Sequence, residues 1–149
     1  MNIEDLIKIL QASIAPVVLI SGVGLLLLTM TNRLGRTIDR IRALCDQFEE
    51  KPGKDGAVIK QQIDILYKRC QYLRSSIVLV ISCIICVSTI VIVLFAMYIF
   101  QINLIGLVQL LFGAGLLALI LSLVTFLMEV WAALASVKLE INSTFSAKV

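Results

Sequence analysis

The chain has 149 residues, of which 60% are hydrophobic and 15% charged, with a net charge of +3 and a mean hydropathy of +1.02. Charged residues make up about a quarter of ordinary soluble domains, so the composition excludes such a domain and indicates a small all-α integral membrane protein. The chain has no histidine, the commonest general base and metal ligand, and a charge of +3 is too weak for a nucleic-acid-binding surface.

Residues 1–13 place Ile3, Leu6, Ile7 and Leu10 at helical spacing, with Glu4, Asp5, Lys8 and Gln11 elsewhere around the axis. They form either a short amphipathic helix on the outer face, bent near Ala15-Pro16, or a plain extension of the first span. Between Lys8 and Arg33 lie 24 residues without charge. A hydrocarbon core takes about 20 apolar residues as helix, so this gap holds one span, placed at 14–31. An acidic start and an apolar run leading into Thr31-Asn32-Arg33 are unlike a cleaved leader, and the span is expected to be retained.

Arg33, Arg36 and Arg40 follow directly. At 100° per residue they fall within about 60° of one another on a helix, with Asp39 placed to pair with Arg36 or Arg42. Such a stripe either binds anionic lipid headgroups or, in an oligomer, rings the inner mouth of a pore.

Segment 32–76 reads as a helical hairpin with its turn at 51–56, Lys51-Pro52-Gly53-Lys54-Asp55-Gly56. The outgoing arm carries Leu34, Ile38, Ile41, Cys45 and Phe48, and the returning arm Ile59, Ile63, Leu66, Cys70, Leu73 and Ile77. Both alternate steps of four and three, as two helices packing knobs into holes require. Folded antiparallel, the seams pair Phe48 with Ile59, Cys45 with Ile63, Ile41 with Leu66, Ile38 with Cys70 and Leu34 with Leu73. Neither cysteine faces the other, so no disulfide is expected within the hairpin.

Arg74 and Glu129 bracket 54 uncharged residues, about 81 Å as one helix and too long for one crossing. The polar, flexible place to turn is Gln101-Ile102-Asn103, with Gly106 beyond, which gives spans at 77–100 and 104–128. In the second span Ser75, Ser82, Thr89 and Ala96 recur every seven residues, with Cys86 on the same face. Cys83 and Cys86 form a Cys-x-x-Cys pair that we read as small hydrophobes. In the third span Gly115, Ser122, Glu129 and Ser136 recur every seven, interleaved with Ala118, Thr125 and Ala132. Membrane helices associate through small residues and shared hydrogen bonds, and two such faces in so short a chain indicate a homo-oligomer.

The Ser122–Thr125–Glu129 face, together with Ser82 and Thr89, either lines a narrow water-filled path in that oligomer or packs dry. Residues 129–149 form a tail that is helical at its start. Glu129 sits at the depth of Arg33, beside Trp131 at the interface, and the two are expected to pair.

Ten of the thirteen Lys and Arg lie in 32–76, against six acids. Basic loops stay in the cytoplasm, so the hairpin and the C-terminal tail are expected inside and the N-terminus outside.

Ile14-Ala15-Pro16-Val17-Val18-Leu19-Ile20-Ser21-Gly22, followed by Thr31-Asn32-Arg33-Leu34-Gly35-Arg36 and Asp39-Arg40-Ile41-Arg42-Ala43-Leu44, resembles a bacterial membrane family known as domain-of-unknown-function family number 2721. The resemblance covers nearly the whole chain. It implies three spans in a bacterial inner membrane and no particular activity.

No Gly-rich phosphate loop, embedded acid pair or ligand cluster indicates an enzyme, a metal or a cofactor. Two classes remain. One is a homo-oligomeric ion-conducting assembly. The other is a scaffold or stator-like subunit for an unidentified membrane partner, suggested by architecture alone.

Overall fold

The computed structural model describes the backbone of residues 3–50 and 56–146, and the side chains of 14–49 and 59–134 together with Ile7 and Gln11. The described residues form three helices: α1 (Ile3–Glu50), α2 (Gly56–Phe100) and α3 (Ile105–Ser146). The Val- and Ile-rich middle of α2 has strand-like composition. In hydrocarbon, however, every backbone N–H must find its carbonyl within the segment, and only a helix does that for a single crossing. Of the two proposed turns, 51–55 lies outside the described residues.

α1 runs through Pro16 without interruption, so residues 3–13 continue the first span's helix. α3 is helical as far as Ser146, well past the start of the tail; the side chain of Ser136 lies outside the described ones.

At the other turn, Gln101 takes a left-handed φ of 56°, the conformation with which helices commonly end. Its Nε2 donates to the Tyr98 carbonyl at 3.1 Å, covering an acceptor that the end of α2 leaves open. Asn103 Oδ1 accepts from the Ile105 amide at 3.3 Å, and the Leu104 carbonyl takes the first amides of α3, from Leu107 and Val108. Two polar side chains thus each supply one bond to a helix end in a connection of four residues.

The chain divides into two compact units, each drawing on all three helices. One combines the chain up to Thr29 with Ile77–Ser122, and the other combines Met30–Ser76 with the chain from Leu123 onward.

In the first unit α2 buries Val80, Cys83, Val87 and Ile90, steps of three and four that make a coiled-coil type of seam. Val23 on α1 is buried with them, as are Gly115 and Ser122 on α3. Gly115 lets α3 come close to α2: a Cβ there would lie 3.4 Å from Cys86 Cβ and 3.9 Å from the Cys83 carbonyl oxygen.

In the second unit α1 buries Met30, Thr37 and Leu44, seven residues apart, with Leu34 and Ile41 half-buried between them. Ile38 and Cys45, which the sequence put in this seam, are exposed. The Phe48 ring lies against Gly56, where a Cβ would meet Cε2 at 3.1 Å, three residues before the Ile59 expected opposite it. α3 packs in this unit as a third helix, with Glu129 and Phe126 against Arg33 of α1, and turns the inner face of α1 from Ile38 and Cys45 toward itself.

Much of the exposed surface among the described residues is apolar. Leu25, Ile85, Ile92, Leu117 and Trp131 are each at least 60% exposed, the reverse of a water-soluble protein, in which such side chains fill the interior. All three helices are long and apolar enough to cross a membrane.

Candidate functional site

The second unit contains a buried charge. Glu129 has no solvent exposure, and α3 aims it inward because it shares the heptad face of Ser122 and Thr125. Its carboxylate is held by arginines from two other helices. Arg69 of α2 donates from Nη2 at 3.0 Å and Nε at 3.3 Å, both to Oε1. Arg33 of α1 brings Nη2 to 2.9 Å from Oε2. Oε2 has no aligned hydrogen-bond donor among the described residues, so the Arg33 contact is coulombic rather than a directed hydrogen bond. Arg33 also stands over the Phe126 ring, 5.2 Å from its centroid, where the π face attracts the cation.

This clasp leaves an excess of one positive charge, two guanidiniums against one carboxylate. Its members differ in access to solvent: the Arg33 side chain is 36% exposed and that of Arg69 18%. Thr37, one turn beyond Arg33, returns its hydroxyl to the Arg33 carbonyl at 2.9 Å.

Four residues before Glu129 on α3, the Thr125 hydroxyl meets Ser76 Oγ of α2 at 2.7 Å. Ser76 is completely buried, and its hydroxyl also lies 2.9 Å from the Tyr72 carbonyl, to which it donates. Cys70 lies beside Arg69. Burial pushes its thiol above the ordinary range, Arg69 opposes this, and Glu129 adds to it.

The structure therefore brings Arg33 and Glu129 together, seats Thr125 and Ser122 on packed faces, and leaves Arg36 and Arg40 exposed. Ser82 and Thr89 are half-buried and turn their hydroxyls back on their own helix, to the Val78 carbonyl at 2.9 Å and the Ile85 carbonyl at 2.8 Å. Among the described residues the buried polar side chain of α2 is Ser76, beside the expected Ser75, which is exposed.

Sequence reasoning missed Arg69, because an arginine on an amphipathic arm reads as a solvated charge. The available signal was its position, seven residues before Ser76 and four before Leu73, on the buried face. Among the described residues no three His, Cys, Asp or Glu side chains gather as a metal site.

Three apolar helices tied by buried polar contacts define a multi-pass helical membrane protein. The chain matches the family described as Protein of unknown function (DUF2721) over residues 13–139, more than four-fifths of its length, and it belongs to that family. No curated protein and no solved structure matches it.

Proposed function

We propose that this protein is a non-enzymatic scaffold of a bacterial inner membrane, a stator-like or partner subunit that self-associates and presents a helical extension to the cytoplasm. The concentration of basic residues in 32–76 supports an orientation with that segment and the C-terminus inside and the N-terminus outside.

The observation that carries the scaffold role is the use made of the α3 polar face. Ser122 and Glu129 are fully buried, and Thr125 and Glu129 bond to α2. In a water-filled path these groups would face the lumen. Here they bind helix to helix.

Ion conduction is the second reading, and one feature favours it. Ser75, Ser82 and Thr89 recur on a face of α2 that the protomer does not fully cover, where copies of the chain could meet and enclose a path.

Purified protein in liposomes under a salt gradient separates the two, alongside native mass spectrometry for copy number. A scaffold gives an oligomer, or a stoichiometric second protein on co-purification, and no flux above empty vesicles. Flux that falls on Ser82→Leu or Thr89→Leu would replace the scaffold reading with the channel. A solitary copy in native-like bilayers would remove self-association.

A further inference from the structure

We propose that Arg33 and Arg36 form a site for a phosphate group at the membrane surface, supplied by an anionic phospholipid headgroup or by free phosphate. Most arginines beside a membrane span are mobile and neutralise lipid charge without geometry. Arg33 differs because two contacts from α3 hold it: the Glu129 carboxylate at 2.9 Å and the Phe126 ring at 5.2 Å. Holding the guanidinium plane in advance removes much of the entropy that an arginine loses on binding.

Glu129 engages Arg33 through Nη2 alone. The remaining N–H groups stay on a side chain 36% exposed, and a planar guanidinium presents such donors as a fork that matches phosphate oxygens. Arg36, exposed and three residues on, is a surface neighbour of Arg33 on the helix.

The nearby acids do not cancel the attraction. Asp39, which the sequence places within reach of Arg36, is exposed to solvent, and the ion pairs among the described residues are those of Glu129. Glu129 is sealed from solvent and also pairs with Arg69, so the clasp keeps its surplus positive charge. Arg40 belongs to the same stripe a turn further on, with no such anchoring among the described contacts. Arg42 lies on the opposite side of α1, about 180° from Arg33. The phosphate site does not depend on the scaffold role. Its lipid source rests on the membrane placement proposed above.

The test is native mass spectrometry of the full chain in detergent with phosphatidylglycerol or phosphatidylcholine, together with thermal melts in inorganic phosphate. The wild type is expected to retain phosphatidylglycerol over phosphatidylcholine. Arg36→Gln should lower retention about fivefold, the factor one basic charge carries at an anionic surface, and Arg42→Gln, on the far side of the helix, should lower it by less.

Arg33→Lys keeps the charge and loses the fork, and should cost at least as much as Arg36→Gln. Phe126→Leu keeps both charge and clasp and should cost about threefold, which covers the case of a misfolded Arg33→Lys. A phosphate-induced rise in melting temperature that Arg33→Lys abolishes, without lipid retention, would support the site with free phosphate as its ligand. Wild-type retention and phosphate response in both Arg33→Lys and Phe126→Leu would overturn it. So would an equal loss in Arg42→Gln, or equal retention of the two lipids with no phosphate-induced rise in melting temperature.

Discussion

Replacing Glu129 with Gln keeps the size of the side chain and removes its charge, leaving two guanidiniums facing a neutral amide. Breaking a buried ion pair costs about 3–5 kcal/mol, because the abandoned charge keeps its desolvation penalty. Arg33 is 36% exposed and Arg69 18%, so water takes up part of both charges. We therefore expect the low end, about 3 kcal/mol, more than a hundredfold in the folded-to-unfolded ratio. Trp131 is the sole tryptophan and stands two residues beyond the substitution, so its fluorescence during SDS titration of protein in mild-detergent micelles reports the transition.

A double-mutant cycle apportions the loss. Arg69 makes two directed hydrogen bonds and is less exposed than Arg33, so the Arg69–Glu129 coupling should exceed the Arg33–Glu129 coupling. A Glu129→Gln variant within about 0.5 kcal/mol of wild type, the range of an ordinary surface substitution, would refute the claim that this carboxylate ties three helices together.

Gln101→Gly relieves a left-handed backbone angle and should stabilise the protein by about 1 kcal/mol in the same titration, less what the lost Tyr98 contact contributes. Gly115→Leu places a branched side chain where a Cβ alone already lies 3.4 Å from Cys86; a loss of about 1–3 kcal/mol is expected, with Gly115→Ala close to neutral. Cys45 is exposed and Cys83 buried, so a membrane-impermeant maleimide should label Cys45 and spare Cys83. Under the proposed orientation that labelling appears in inside-out vesicles and not in right-side-out ones. Cys70, half-buried with its thiol pushed up by burial, should alkylate more slowly than Cys45 at neutral pH, because the thiolate is the reactive form.

The three helices, the turn after Phe100 and the polar face of α3 are legible in the residues alone. A 54-residue uncharged run cannot cross a bilayer once, and in lipid its backbone has no alternative to helix. Gly115, Ser122 and Glu129 stand out at a spacing of seven against leucine and isoleucine, and polar groups in such surroundings turn inward.

Which face of α1 is inward was decided only in three dimensions. Treated as half of a two-helix hairpin, the arm selects Ile38 and Cys45. Packed with α3 as well, it buries Thr37 and Leu44 in their place while Leu34 and Ile41 stay half-buried, which turns the centre of the face by about 50° at 100° per residue. Arg69 is the same case: its sequence neighbours describe a solvated charge, and its role comes from a carboxylate 60 positions away. Local composition settles whether a segment is helical and whether it belongs in lipid, because backbone satisfaction and transfer free energy act on each segment separately. The choice of inner face, and of which charge is paired, depends on how many neighbours a helix has, and only the packed structure supplies that number.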